Sequence, residues 1–481
     1  MTDYLNYIDG QWQPSVSNCQ FESRNPANRE EVVGRFQASL DADAKAAIEA
    51  AERAFESWKK TPLGQRAKVL NKAADYLEAK VEQFAEELTR EEGKLLSNSR
   101  MEILRSAQTL RFYAVEGTTF TGETYPSDDP AMLVYSQREP LGVVSVITPW
   151  NFPISIPARK IAPALITGNT VVFKPSSDTP LVGLRLAEAL VAGGVPAGVF
   201  NFITGSASDV GQALTTHPAI RAITFTGSTD AGERIHRAAG LTTRTQMELG
   251  GKNPLIVLDD ADIDTAVKLT VQGGFSLTGQ ACTGTSRVLV TPAVKDRYLD
   301  ALVTAIEQIR IGDGMDDSTT VGPLANQKQL DSVLRYIEAG KAEARWVCGG
   351  EKLTGGVYDQ GYYVSPAVFA DVTGEMTIAR EEIFGPVIAV MEVADYDAAI
   401  VEANNTEYGL SAALVTNDIR YIQRFPLEIE AGTVKVNRTT TGNLVNAPFG
   451  GIKRSSTSTF RESGRTGLEF FTQVKTVYIG R

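Results

Sequence analysis

Apolar positions in Asp41–Lys60 recur at helical spacing: Ile48, Ala51, Phe55 and Trp58 share a stripe, and Asp41 and Asp43 stand at its start, where carboxylates suit a helix N-terminus. Gln65–Glu92 places Leu70, Ala73, Ala74 and Leu77 on one face and predicts a second helical stretch. The pattern then changes. Short apolar runs at Val143–Ile147, Thr170–Phe173, Phe200–Ile203 and Ala222–Phe225 are each bounded by Gly or Pro, with helical segments such as Leu181–Ala192 between them. Strands buried on both faces and separated by helices predict an α/β fold with a doubly wound parallel sheet.

A second α/β series follows: Pro254–Leu258, a helix around Asp264–Gly273, Arg287–Val290, a helix over Val294–Ile309, and Pro386–Val390. The Gly250-Gly251 pair between the two series reads as a hinge. Thr121–Glu139 reads as a hairpin and Val474–Ile479 as a terminal strand, neither with an obvious sheet of its own, which predicts pairing with another subunit. The expected organisation is a dinucleotide-binding domain from residues 1–118 and 141–250, an α/β catalytic domain at 251–433, and a small β oligomerisation element at 119–140 and 462–481.

Composition narrows the partners. The 481 residues are 43% hydrophobic and 22% charged, ordinary for a globular protein, with a formal charge of −11. That balance argues against nucleic acid or an anionic membrane, both of which need a basic face. The start of the chain shows no basic segment followed by an apolar run, and no apolar stretch approaches the roughly 18 residues of a membrane span. Three widely spaced cysteines, Cys19, Cys282 and Cys348, suit a reducing cytoplasm rather than a disulfide framework. With only His217 and His236, no metal site and no histidine relay is expected.

Four places carry candidate chemistry. Cys282 sits among small polar and glycine neighbours, Thr278-Gly279-Gln280-Ala281-Cys282-Thr283, a setting for a thiolate nucleophile, although a free cysteine is ordinarily a small buried hydrophobe. Glu248, between Met247 and Leu249 and before two glycines, reads as a general base raised by apolar surroundings, or as a glutamate at the end of an element. Pro149-Trp150-Asn151-Phe152-Pro153 follows a strand, where open α/β sheets bind ligands, and Asn151 has an amide to offer an oxyanion; a packing loop is the plainer alternative. Lys174 ends another strand, and Thr226-Gly227-Ser228 opens a helix whose N–H groups can face a phosphate, though Ser228 also reads as a simple helix cap.

Taken together, these segments resemble the aldehyde dehydrogenase superfamily along nearly the whole chain. The matching motifs are PWNFP (149–153), FKPSSDTP (173–180), FTGS (225–228), MELGGKNP (247–254), GQAC (279–282), EEIFGPV (381–387) and NAPFGGIK (446–453). The resemblance implies that Cys282 attacks an aldehyde, that Asn151 and the Cys282 N–H hold the oxyanion, and that Glu248 activates the hydrolytic water. The family's acylating branch lacks a glutamate at the Glu248 position, so a free acid is the implied product. The cofactor-binding residues implied are Trp150, Asn151, Lys174, Ser176, Ser177, Gly227, Ser228, Leu249, Glu382 and Phe384.

Strictly NAD-dependent members often carry a glutamate where this chain has Ser177. A serine there, with Lys174 nearby, leads to the expectation of NADP, preferred or alongside NAD. Arg159 matches an arginine that grips the substrate carboxylate in succinate-semialdehyde dehydrogenases, with an interface or surface arginine as the alternative. Ser276 stands where those enzymes carry a second arginine. The serine-rich run with Ser455 and Ser456 is similar to that of α-ketoglutarate-semialdehyde dehydrogenases, which implies hydroxyls at the substrate tunnel. A carboxylated semialdehyde is therefore the expected substrate and a broad aliphatic or aromatic aldehyde the alternative, handled by a homodimer or homotetramer. A cysteine hydrolase and a catalytically silent scaffold are the rivals from other classes.

Overall fold

The apolar runs of the first half form strands Val143–Ile147, Thr170–Lys174, Phe200–Phe202, Ile220–Thr226 and Arg244–Glu248 in a computed structural model that describes residues 2–480. They lie parallel. The first three run outward in chain order, and the last two flank Val143–Ile147 on its other side. The reversal in strand order therefore falls between Val143–Ile147 and Ile220–Thr226, so the loops after Ile147 and Thr226 border one crevice, the place where such sheets take ligands. Strands Asn6–Ile8 and Gln11–Gln13 add an antiparallel edge, giving seven strands. Val143, Val144, Val146, Val171, Val172 and Phe173 are almost fully buried, as a sheet covered by helices on both faces requires.

The helix Asp41–Trp58 buries Ile48, Ala51 and Trp58 of its predicted stripe and leaves Phe55 half-buried, and Trp58 Nε1 donates to the Leu165 carbonyl. The stretch Gln65–Glu92 is two helices rather than one, Leu63–Ala79 and Val81–Glu92. Lys80 leaves the helical region (φ −118°, ψ 21°), and the second helix turns Phe84, Ala85 and Leu88 onto the core.

The second series builds another seven-stranded sheet, parallel except for Arg345–Cys348 at one edge. Asn253–Val257 and Thr285–Val290 are adjacent at its middle. The chain passes from the first sheet to the second between Glu248 and Asn253, around the glycine pair. Among the described residues no helix is long and apolar enough to cross a membrane.

The hairpin forms as expected, but it and the terminal strand do have a sheet of their own. Met132–Pro140 pairs antiparallel with Thr472–Gly480 of the same chain, and Thr124–Tyr125 lies on its other side. The terminal strand thus satisfies one edge internally, over nine residues from Thr472 opposite Pro140 to Gly480 opposite Met132, and Lys475 pairs with Glu139 across it. The other edge carries exposed Val474, Tyr478 and Ile479.

Candidate functional site

Cys282 reaches its position through a strained turn. Leu277, Thr278 and Gly279 are successive left-handed residues, with φ of 55°, 56° and 71°. Each of the two non-glycine residues costs about 1 kcal/mol or more in that conformation. The surroundings hold it. Thr278 Oγ1 donates to Gly322 O at 2.9 Å, the Ala325 N–H donates to Gln280 Oε1 at 2.9 Å, and a Cβ on Gly279 would lie 2.2 Å from Gly385 O. Cys282 is half-buried, and its carbonyl accepts from Asn253 Nδ2 at 2.9 Å. Its N–H donates to no protein acceptor among the described residues, which leaves that donor open to an oxyanion. Burial first, then the charge of Glu382, pushes the thiol up to about 12.

Asn151 is 2% exposed and donates one Nδ2 hydrogen to Gln280 O at 2.9 Å. An amide nitrogen has two hydrogens, so a second remains for an oxygen beside Cys282. The loop is fastened from beneath, since Lys94 Nζ donates to the Asn151 carbonyl. Glu248 ends its strand at 2% exposure, and neither carboxyl oxygen has a hydrogen-bond partner. Burial first, then the charge of Glu462, raises its pKa well above the carboxylate range, while Lys160, Arg461 and Arg159 pull it back. A buried unpartnered carboxyl facing the same cavity as a thiol is the arrangement a general base for a bound water requires.

Cys282 and Glu248 line one cavity of about 220 Å³, together with Arg159 and Ser276. At about 30 Å³ per water this is on the order of seven water volumes, room for a short-chain substrate. Arg159 lies on helix Ser155–Ile166; its Nε donates to Ser155 O at 3.3 Å and its guanidinium stands 5.8 Å from the Phe449 ring centre. Ser455 and Ser456 do not line this cavity, contrary to expectation. Ser455 Oγ is spent inside the fold, donating to Gly250 O at 2.7 Å and accepting from the Gly409 N–H at 3.0 Å, and Ser456 forms a backbone bridge to Glu248.

The residues expected at a dinucleotide gather along the crevice. Trp150 and Phe384 meet edge to face at 5.4 Å, and Phe384 holds a φ of 54° with Gln329 Nε2 donating to its carbonyl at 2.8 Å. Glu382 Oε1 accepts from the Gly251 N–H at 3.0 Å, and burial raises Glu382 to about 7. Lys174 is almost fully buried, with Nζ on Pro175 O at 2.9 Å and its pKa brought down by burial to about 8. Ser176 Oγ turns to Asp178, and Ser177 Oγ to Gly205 O at 3.0 Å. Ser228 caps helix Thr229–Ala238 without a side-chain bond, which leaves the first-turn N–H groups free. Gly227 has no room for a Cβ, which would fall 2.5 Å from the Phe225 ring. Leu249 packs on Gly232, so this helix sits close beside the strand end. An open helix N-terminus, a close backbone turn and a buried acid beside Gly251 fit a dinucleotide.

Four contributors had no sequence signal strong enough to single them out. Lys94 and Glu102 form a buried pair under the Asn151 loop, and Glu462 and Lys160 lie 3.6 Å apart behind Glu248. A lysine after the Glu91-Glu92-Gly93 helix end was the one visible hint.

Comparison with known proteins agrees with this geometry. The model of the Aldehyde dehydrogenase family matches residues 12–477. The chain is 45% identical to the alpha-ketoglutaric semialdehyde dehydrogenase of Bacillus subtilis over 99% of this chain and 98% of that one. It is 42% identical to the 2,5-dioxopentanoate dehydrogenase of Saccharolobus solfataricus over 95% of both. Among solved structures, betaine aldehyde dehydrogenase from Staphylococcus aureus in complex with NAD+ superposes with a TM-score of 0.96 at 34% identity, covering 99% of this chain and 95% of that chain. The chain belongs to the aldehyde dehydrogenase family and is an oxidoreductase of that family.

Proposed function

We propose that the chain oxidises α-ketoglutarate semialdehyde, which is 2,5-dioxopentanoate, to the corresponding dicarboxylate with NADP as the preferred oxidant and NAD as an alternative. The observation that carries the substrate is Arg159, a guanidinium in the cavity of Cys282 with no acidic side chain within ion-pair distance among the described residues. A guanidinium and a carboxylate form a bidentate charge-assisted pair, so an aldehyde with a distal carboxylate is the matching ligand. The names carried by the Bacillus and Saccharolobus relatives support the same compound.

The residues divide the chemistry as follows. The Cys282 thiol gives up its proton to solvent water as its sulfur bonds to the aldehyde carbon. The second Nδ2 hydrogen of Asn151 and the Cys282 N–H receive the resulting oxyanion. A bound dinucleotide would supply the hydride acceptor, and loss of hydride from the carbon bonded to sulfur would leave a thioester on Cys282. Glu248 takes a proton from water as the water oxygen attacks the thioester carbon; the carbon–sulfur bond breaks, the acid leaves, and Glu248 returns the proton to the Cys282 sulfur. Ser177 supports NADP because a hydroxyl accommodates a ribose phosphate that a carboxylate would repel.

The open edge of Thr472–Gly480, with Val474, Tyr478 and Ile479 exposed, supports assembly into a homodimer or homotetramer. Three unpaired cysteines are in keeping with a cytoplasmic setting.

The test is reduced-nicotinamide absorbance across α-ketoglutarate semialdehyde, succinate semialdehyde, pentanal and benzaldehyde, each with NAD and NADP. The reading expects the carboxylated aldehydes to lead by tenfold or more in kcat/KM. Neutral aldehydes in the lead would overturn it in favour of a broad aldehyde oxidoreductase.

A further inference from the structure

The cavity holds a second free guanidinium that no motif marks. Helix Leu96–Thr119 turns one face toward Cys282, and Asn98, Met101, Glu102, Arg105 and Thr109 from that face line the cavity. Helix Ser155–Ile166, which carries Arg159, packs against it and lines the same space. The cavity therefore contains three cations, and they differ in what they already hold. Lys94 is committed to Glu102 and to the Asn151 carbonyl, each at 2.6 Å. Arg159 has only its Nε engaged. The Arg105 guanidinium makes no hydrogen bond or ion pair among the described residues.

Resting on the function proposed above, we infer that Arg105 is a second substrate-binding guanidinium, shares the 2-oxo acid head of the substrate with Arg159, and sets preference for that head over a simple carboxylate. The acceptor count leads there. A simple carboxylate offers two oxygens, which one guanidinium fork satisfies in parallel. A 2-oxo acid offers a third oxygen on the adjacent carbon, and an acceptor left without a donor inside a cavity costs about 1–3 kcal/mol. Lys94 is spoken for, and Ser276 contributes a hydroxyl without charge. Arg105 is the charged donor with its whole fork free, and it lines the same cavity as Cys282 while remaining exposed. Two unpaired positive charges also draw an anionic substrate inward against the protein's net charge of −11.

The experiment measures kcat/KM of the wild type, Arg105→Gln and Arg105→Lys with NADP on α-ketoglutarate semialdehyde, succinate semialdehyde and pentanal. For Arg105→Gln, the ratio of α-ketoglutarate semialdehyde to pentanal should fall tenfold or more, and that of succinate semialdehyde to pentanal by less than about threefold. Arg105→Lys should recover only part of the loss, because an ammonium lacks the fork. Equal changes on all three aldehydes, equal losses on both acids, or no change would each overturn the assignment. Arg105 is exposed and unpaired, so unchanged melting of both variants verifies that folding does not enter the comparison. If pentanal is already the better substrate of the wild type, the functional reading itself fails; if the wild type prefers the semialdehyde and the variant keeps the same ratio, only Arg105 is wrong.

Discussion

The ammonium of Lys94 stands 2.6 Å from the carbonyl oxygen of Asn151 and ties the oxyanion loop to the helices beneath it. The same Nζ donates to Glu102 Oε2 at 2.6 Å, and Glu102 Oε1 accepts from the N–H groups of Ile154 and Ser155, both at 3.2 Å. The Phe152 ring centre lies 4.7 Å from the ammonium. One buried ion pair thus grips both sides of the turn from Asn151 into the next helix.

Lys94→Met is therefore expected to weaken folding and catalysis together. It leaves Glu102 buried without its cation, a loss of about 3–5 kcal/mol for a broken buried pair. Turnover should fall toward that of Asn151→Ala, where losing an oxyanion donor costs on the order of 10²–10³ in kcat. If Lys94 acts through Asn151, the double variant loses little more kcat than Asn151→Ala alone. Independent, multiplying losses would show that the lysine serves only the fold.

Glu248→Gln should separate the two halves of the reaction. The first half does not need the carboxylate, so rapid mixing should show a burst of about one reduced nicotinamide per site before a steady rate lower by about 10²–10⁴. Because the Glu248 pKa is raised, its base form is gained as pH climbs through a range well above that of ordinary carboxylates. Wild-type kcat should rise with pH there, and that rise should be absent from the variant. No burst, or an unchanged profile, would remove Glu248 from the water step.

Ser177→Glu tests the cofactor reading. A carboxylate beside the adenosine ribose repels a phosphate and can accept from ribose hydroxyls, so the ratio of kcat/KM with NADP to that with NAD should fall tenfold or more, about 1.4 kcal/mol. Titration of protein fluorescence with each dinucleotide gives the binding part of that shift. A ratio that stays put would place the discriminating contact elsewhere on the Lys174–Asp178 loop.

The parallel strands were legible because their apolar runs are unbroken and their ends are marked by Gly or Pro, which is how Val143–Ile147 and its neighbours stand in the structure. Cys282 and Glu248 were legible because small or apolar neighbours around a reactive side chain are a local pattern. The Lys94–Glu102 pair was not, since it joins a helix end to the next helix and acquires meaning only when the Asn151 loop folds over it. Ser455 misled for a related reason. A hydroxyl's composition does not reveal its partner, and here the partner is Gly250 O within the fold. Strands such as Ser411–Val415, SAALV, are too small-sided to separate from a loop before the sheet places them between two others.

Lys252 offers the last test, and it sets stability against function. Its ammonium is 1% exposed with no hydrogen-bond partner, and burial first, then Arg287, brings its pKa down to about 7, against the pull of Glu382 and Glu381. The folded pKa lies below the unfolded value of about 10.4, so the group destabilises the fold. That cost is fully present below about pH 7, where both states carry the proton, and it fades as pH rises toward the unfolded pKa. Lys252→Met should therefore raise the melting temperature more at pH 6 than at pH 9. The variant also takes a positive charge from beside Glu382, one of the residues implied at the cofactor, so the KM for NADP should change while that for the aldehyde moves less. A Tm gain that is the same at both pH values would mean that Lys252 finds a partner in solution, and a loss at both would mean that its stem packs better than methionine.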